Sequence, residues 1–241
     1  QVLPLGPTSF GDSPYQSYSA FAGNPLLIDL QELCQEGLLK KGRCKRIDWG
    51  QDASYVDYDQ VREGKERMLH RAFKNFEDTK ALERFRKRNK GWIEDYALYM
   101  ALKGCMEGRP WTEWEEGLRL RDPDTLKVWK VRCQEDVDYH VFAQYVFFRQ
   151  WEALKKYAGS NGVKIIGDAP IYVAMDSADV WAHPELFQLD ENNVPTEVAG
   201  CPPDAFSEDG QLWGNPLYRW DVMAKDGYAW WIERIKANLS M

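Results

Sequence analysis

The sequence predicts an α/β fold, because two short apolar runs are separated by a long helical region. Residues 2–5 and 163–166 are apolar or β-branched runs that end at Gly-Pro and Gly-Asp-Ala-Pro turns, which is typical of buried strands. Helical periodicity covers residues 59–107 and again 134–158. Strands that are joined through helices indicate a parallel α/β architecture.

The helical region carries two apolar stripes at helical spacing. The first stripe consists of Val61, Met68, Leu69, Ala72, Phe73 and Phe76. The second stripe consists of Trp92, Ile93, Tyr96, Ala97, Met100 and Ala101. Ser177 is a candidate N-cap for a short helix before Pro184, and residues 227–239 predict a final helix.

Two segments rich in Gly, Pro and Asn predict long loops, at residues 6–25 and 192–218. Residues 25–33 fit the end of a strand or a helix equally well. The resulting organisation has three parts: residues 1–54 with a strand and its loop, a helical insertion at 55–133, and a helix–strand–loop–helix unit at 134–241. Long loops in compact domains are often functional, so these two are candidate binding segments.

Charge and composition exclude several classes of protein. The net charge of −7 opposes a nucleic-acid partner, and the basic run at residues 84–90 is interpreted as a solvated helix face. The sequence lacks an apolar run of about 18 residues, so a membrane span is not expected. The 11 Trp and 12 Tyr suit a flat ligand such as a sugar ring, although most of them are expected in the core.

The cysteines and histidines give no local metal or disulfide signal. The cysteines are Cys34, Cys44, Cys105, Cys133 and Cys201, and the histidines are His70, His140 and His183. The odd number of cysteines, their wide spacing and the lack of a CxxC motif support neither a disulfide framework nor a structural zinc site. A reducing compartment and the absence of a metal are therefore expected.

Candidate site residues follow the predicted strands. Asp168 lies at the end of the second strand, where α/β proteins bind ligands, but it also fits a turn-forming or capping role. Asp12, Ser13 and Tyr15 place an acid, a hydroxyl and an aromatic ring on one loop, a combination that suits a sugar. A self-bonded turn before Pro14 is the alternative for Asp12 and Ser13.

Three groups of motifs carry a resemblance to a known family. They are LPLGPT and GDSPYQSYSAFAGNP (residues 3–8 and 11–25), IGDAPIYV and DSADVW (166–173 and 176–181), and GCPPD and GQLWGNPLY (200–204 and 210–218). In this order they closely resemble the 4-α-glucanotransferases of the amylomaltase, or disproportionating enzyme, type (glycoside hydrolase family 77). The helical insertion resembles the family only in position and type.

The resemblance implies part of a (β/α)8 TIM barrel with a helical insertion subdomain. It implies a glycosyltransferase that transfers α-1,4-glucan segments between maltooligosaccharides or starch by a retaining double displacement. No cofactor is implied. The partners are α-glucans, without nucleic acid or membrane, in the cytoplasm or in the plastid of a plant or alga.

The resemblance also assigns roles to residues. Asp168 and Tyr15 match the family's donor-sugar subsite, and Ser13 and Asp12 match its supporting residues. Trp213 and Asn215 match the loop on the acceptor side, and Phe206 matches an aromatic residue of a flexible loop over the cleft. Ala205 stands where the family often has Tyr, so an aromatic pair is not expected there.

The nucleophile and the acid/base carboxylate of the family are expected beyond Met241, so no catalytic residue is assigned within the chain. We therefore expect a chain that continues in both directions and is inactive alone, with strand edges at 2–5 and 163–166 that invite self-association. Two alternatives remain at this point: a non-catalytic α-glucan-binding protein, and a helical interaction module formed by residues 55–160.

Overall fold

The computed structural model describes residues 1–52 and 54–241, and helices dominate this part of the chain. Residue 53, which belongs to the first predicted unit, lies outside the described residues. The α-helices are α1 (Leu30–Gln35), α2 (Lys41–Cys44), α3 (Tyr58–Lys74), α4 (Thr79–Arg88), α5 (Ile93–Cys105), α6 (Glu116–Arg119), α7 (Pro123–Arg132), α8 (Gln134–Ser160), α9 (Ala178–Ala182), α10 (Trp220–Met223) and α11 (Ala229–Ser240). Short 3-10 turns occur at Phe10–Asp12, Pro25–Leu27, Trp111–Glu113, Pro184–Leu186 and Ala224–Asp226.

Side-chain caps explain where the helices begin. The predicted helical region 59–107 is divided into α3, α4 and α5, because Asn75 ends α3 and Asp78 caps the first turn of α4. Asn89 then ends α4 before α5 begins at Ile93. The predicted cap at Ser177 is confirmed, since its hydroxyl accepts the Val180 N–H and opens α9. Residues 25–33, which the sequence left undecided, form a 3-10 turn and the start of α1.

The long helix α8 organises the interior, because two hydrophobic clusters share it. Its side chains Val137 and Val141 belong to the cluster that contains much of α5 and α9. Phe142 and Val146 belong to the second cluster, which also contains α1 and part of α3. These four residues are fully buried, as the predicted helix over 134–158 requires. The predicted boundaries at 54/55 and 133/134 remain predictions.

The prediction of two buried strands is wrong for this part of the chain. Residues 2–5 and 163–166 are extended but do not form a β-ladder within the described residues. A hydrogen bond from the Val2 N–H to the Ile166 carbonyl (2.9 Å) joins them. Leu3, Val163 and Ile166 are exposed. An apolar run becomes a buried strand only where neighbouring strands and helices cover it, which composition alone does not reveal.

The prediction of an uninterrupted loop at 192–218 is also wrong, because this segment contains a β-hairpin. Strands β1 (Val198–Cys201) and β2 (Gln211–Pro216) pair antiparallel, with Gly200 opposite Leu212. A Cβ atom on Gly200 would lie 2.4 Å from the Gln211 carbonyl oxygen, so the close approach of the strands requires glycine there. The Gly- and Pro-rich composition reflects this pairing and its turn.

A buried glutamine holds the loop 6–25 against α8. Gln144 is fully buried, and its amide forms a reciprocal pair with the backbone of Gly23. The Gly23 N–H donates to Oε1 (2.8 Å), and Nε2 donates to the Gly23 carbonyl (2.8 Å). A Cβ atom on Gly23 would lie 2.0 Å from the ring of Phe147. The loop therefore approaches the helix more closely than any other residue type would permit.

Asp179 of α9 holds the same loop at a second point. Its buried carboxylate accepts the Ala20 N–H at 2.7 Å. Burial raises the pKa of the Asp179 carboxyl to about 6, and this effect exceeds the opposing effects of the Ala20 hydrogen bond and of the charges of Arg234 and His183.

Among helices of the described residues, none is long and apolar enough to cross a membrane.

The contact at Gly23 predicts a loss of stability on substitution. Gly23→Ala should lower the free energy of unfolding by about 2 kcal/mol, because the added methyl group displaces Phe147 or the loop. Urea denaturation followed by circular dichroism measures the change. Gly159→Ala is the matched control, since it lies in α8 and its Cβ would meet no atom within 4 Å. An unchanged midpoint for Gly23→Ala would contradict the packing described here.

The raised pKa of Asp179 predicts how its contribution to stability depends on pH. Because the folded-state pKa of about 6 exceeds the unfolded value of 3.8, the contribution of Asp179 is largest below pH 3.8. It falls by about 3 kcal/mol as the pH rises through 6. Asp179→Asn keeps an acceptor for Ala20 and removes the titration. Its stability relative to the wild type should rise by most of this amount between pH 4 and pH 7.

The control for Asp179→Asn is a substitution that removes a carboxylate from the surface and leaves the interior unchanged. The exposed Glu191, changed to Gln, provides it. A stability difference between Asp179→Asn and the wild type that is the same at pH 4 and pH 7 would show that Asp179 does not titrate in this range.

Candidate functional site

A hydrogen bond between Tyr15 and Asp168 forms the centre of the candidate site. The Tyr15 hydroxyl donates to Oδ2 of Asp168 at 2.7 Å, although the residues are 153 positions apart. This bond raises the pKa of the Tyr15 phenol, with smaller effects from desolvation and from the Asp168 charge. Tyr15 is 46% exposed, so part of its side chain is accessible to a ligand beside the carboxylate.

A tight turn presents Tyr15. The Ser9 N–H donates to the Gln16 carbonyl (2.8 Å), which closes the turn. Inside it, Gly11 and Asp12 adopt positive φ angles of 63° and 52°. The Ser13 hydroxyl accepts the Tyr15 N–H at 3.3 Å. This contact is the local turn that the sequence offered as the alternative role of Ser13.

Arg234 of α11 holds the segment that follows Asp168. Its guanidinium is buried and donates to the carbonyls of Pro170 and Ile171 and to the Tyr218 hydroxyl. The Tyr218 hydroxyl in turn donates to the Ile171 carbonyl at 2.9 Å. A charged donor that satisfies several buried acceptors fixes the backbone more firmly than apolar packing alone.

Arg234 is a functional residue that was not predicted from the sequence. An arginine three residues after a Trp-Trp pair in a helix gives no signal of its own. The guanidinium carbon lies 4.8 Å from the centre of the Trp231 ring, a cation–π contact that only the folded chain reveals.

Asp12 lies in the same loop as Tyr15, but its carboxylate contacts residues other than Tyr15 and Asp168. Oδ1 of Asp12 accepts hydrogen bonds from Arg62 of α3 at 2.6 Å and from the Thr8 hydroxyl at 3.2 Å. These contacts connect the loop to the helical region. The carboxylate thereby supports the loop that carries Tyr15.

Asn215 and Trp213, both on β2, approach the centre in different ways. The Asn215 amide is buried, donates to the Val173 carbonyl (2.8 Å) and accepts from Gln16 (3.2 Å). Asn215 therefore connects the hairpin to both segments that carry the central pair. The Trp213 ring is 42% exposed and lies 6.4 Å, between ring centres, from Tyr172.

Phe206 lies apart from this group, on the connection between β1 and β2. Its side chain is 96% exposed, and its backbone N–H donates to the side chain of Asp204. Of the predicted residues, the structure thus joins Tyr15 directly to Asp168 and to Ser13, connects Asn215 to the central pair through neighbours, and leaves Phe206 in solvent.

A shallow cleft lies beside the central pair. The residues that line it include Tyr15, Ser17, Asp168, Tyr172, Arg234 and Asn238. A carboxylate, two phenols and an amide around aromatic faces match the polar edges and the apolar face of a sugar ring. Within residues 1–52 and 54–241, groups of three or more side chains that could hold a metal ion are not found.

Comparison with known proteins identifies the family of this chain. The sequence profile of the 4-alpha-glucanotransferase family, glycoside hydrolase family 77, matches residues 1–241. The chain is 51% identical to a 4-alpha-glucanotransferase of Thermus thermophilus, over all of this chain and 48% of that relative. It is 49% identical to one of Aquifex aeolicus, over all of this chain and 49% of that relative. The chain thus spans about half the length of these relatives.

A solved structure extends the likeness to three dimensions. The amylomaltase from Streptococcus agalactiae in complex with acarbose matches with a TM-score of 0.94 and 44% identity, over 98% of this chain and 48% of that one. This match confirms the predicted α/β fold class. The family profile also matches this chain over its full length. The chain therefore belongs to the 4-alpha-glucanotransferase family, as the motifs around Tyr15 and Asp168 indicated.

Proposed function

We propose that residues 1–241 form part of the glucan site of a 4-alpha-glucanotransferase. The observation that carries this proposal is the 2.7 Å hydrogen bond between Tyr15 and Asp168 beside an open cleft. Tyr15 packs its exposed ring against the apolar face of a glucose unit, and the Asp168 carboxylate accepts hydrogen bonds from its hydroxyls. Both residues belong to the donor-sugar subsite.

The chemistry of the proposed reaction is a retaining double displacement. One carboxylate attacks the anomeric carbon to form a glycosyl-enzyme, and a second protonates the departing oxygen and later activates the acceptor hydroxyl. Asp168 instead binds the sugar, beside the ring of Tyr15. The nucleophile and the acid/base come from outside residues 1–241, in keeping with relatives about twice as long.

The fold of the whole protein in this proposal is a (β/α)8 barrel. Residues 2–5 and 163–166 form no β-ladder within the described residues, but in the longer protein they would pair as neighbouring barrel strands, and the hydrogen bond from the Val2 N–H to the Ile166 carbonyl supports this pairing. Their exposed side chains suit a segment that is covered by further strands and helices. A second copy of the chain could also pair with these edges, which is the predicted route to self-association.

The remaining predicted residues complete the proposed site. Trp213 and Asn215 lie on the acceptor side, where the Trp213 ring is open to a second sugar and Asn215 holds the hairpin in place. Phe206 is free in solvent and closes over a bound glucan. Asp12 and Ser13 support the turn. The substrates are maltooligosaccharides or starch, and the proposed location is the cytoplasm or a plastid.

The alternative of a non-catalytic α-glucan-binding protein has no observation in its favour, since the relatives described above are named as transferases. Incubation with maltotriose, followed by chromatography of glucose and longer oligosaccharides, tests the proposal. A protein of the relatives' length that carries this chain should form a ladder of products, whereas residues 1–241 alone should not. A ladder from residues 1–241 would contradict the external position of the nucleophile.

In that longer protein, substitution of Tyr15 and Asp168 should distinguish the contribution of the Tyr15 ring to activity from that of the hydrogen bonds. Asp168→Asn should lower kcat/KM by about 10²-fold or more, because the carboxylate binds the sugar most strongly in the transition state. Tyr15→Phe keeps the ring and should lower it by about 10-fold, and Tyr15→Ala should lower it further. The exposed Glu83, changed to Gln, is the control. A value within a few-fold of wild type for Asp168→Asn would refute its role.

A further inference from the structure

Four of the five cysteines lie in two contacting pairs. The sulfur atoms of Cys34 and Cys44 are 3.4 Å apart, and those of Cys105 and Cys133 are 3.3 Å apart. All of these thiols are free. A disulfide requires a sulfur–sulfur distance of about 2.0 Å, so the two sulfur atoms of each pair must move closer together to form the bond. The wide spacing of the cysteines in the sequence conceals this arrangement.

Each pair bridges two different helices. Cys34 lies in α1 and Cys44 is the last residue of α2. Cys105 is the last residue of α5, and Cys133 immediately precedes α8. The second pair therefore joins the end of α5 to the start of α8, and both helices contribute to the larger hydrophobic cluster.

We propose that these pairs are two sites of reversible thiol–disulfide exchange, Cys34 with Cys44 and Cys105 with Cys133. The oxidant is a small-molecule disulfide. One cysteine thiolate attacks it, forms a mixed disulfide and releases one small thiol. The partner cysteine then attacks the protein sulfur of the mixed disulfide and releases the second small thiol. Overall, two protein thiols are oxidised to one disulfide, and the small disulfide is reduced to two thiols.

Exposure determines the order of the two steps at the second pair. Cys105 is exposed, whereas Cys133 is only 2% exposed. The oxidant therefore reaches Cys105 first, and Cys133 completes the bond from inside. Burial and the neighbouring thiol raise the pKa of Cys133 to about 12, and the same causes raise that of Cys44 to about 11. Thiolates are the reactive species, so closure should accelerate as the pH rises above 7.

Closure of Cys105 with Cys133 should stabilise the fold. The bond would join residues 28 positions apart and restrict the unfolded chain, and it would fix the α5–α8 contact in the folded chain. A rise in Tm of about 5–10 °C is expected for a chain of this size. The bond between Cys34 and Cys44 closes a shorter segment of 10 positions and should contribute less.

The test uses the purified chain equilibrated with excess oxidised glutathione, and in parallel with dithiothreitol. Alkylation under denaturing conditions followed by mass spectrometry counts the remaining thiols. The reduced chain should take up five alkyl groups, whereas in the oxidised chain the four paired cysteines should take up none and Cys201 should carry either glutathione or an alkyl group. Peptide mapping should recover the links Cys34–Cys44 and Cys105–Cys133, and the oxidised chain should have the higher Tm.

Matched variants separate the pairs. Cys105→Ser should remove the second link and most of the rise in Tm, and Cys34→Ser should remove only the first link. Cys201→Ser, which changes the cysteine outside both pairs, should oxidise as the wild type does. Glutathione adducts without internal links, five thiols that still alkylate, or links that involve Cys201 would each overturn the proposal.

Discussion

The buried amide of Gln144 is the contact on which the candidate site depends. It satisfies both backbone groups of Gly23 inside the protein, where an unpaired polar group costs about 1–3 kcal/mol. This reciprocal pair fixes the loop 6–25 at its C-terminal end, and the lack of a side chain on Gly23 lets the loop pack against Phe147. A polar contact in the interior of α8 thus determines the position of an aromatic ring in the cleft.

The two residues of the central pair are held from opposite directions. Tyr15 belongs to the loop that Gln144, Asp179 and Arg62 attach to three helices. Asp168 begins the segment whose carbonyls accept hydrogen bonds from the buried guanidinium of Arg234. Because each side has its own attachments, the Tyr15–Asp168 hydrogen bond links two rigid parts of the chain. Such preorganisation reduces the entropy that a sugar must overcome on binding.

The sequence predicted features that depend on local chemistry. The Ser177 cap and the long amphipathic α8 follow from residue type and spacing, and the motifs identified the family. The sequence did not predict the features that depend on contacts between distant parts of the chain. Residues 2–5 and 163–166 need neighbouring strands to become a sheet, and the hairpin at Gly200 depends on a close backbone approach. Arg234 holds two carbonyls that lie 63 and 64 positions away in the sequence.

The most direct test of this role of Gln144 is calorimetric titration of maltotriose. The titration compares the wild-type chain with Gln144→Met and shows whether the interior of α8 positions the site. Methionine is similar in volume, removes both hydrogen bonds to Gly23 and leaves the cleft residues unchanged. The account predicts that the wild type binds maltotriose and that Gln144→Met binds at least about 10-fold more weakly, with circular dichroism showing retained helices. Equal affinity of the two proteins would contradict it.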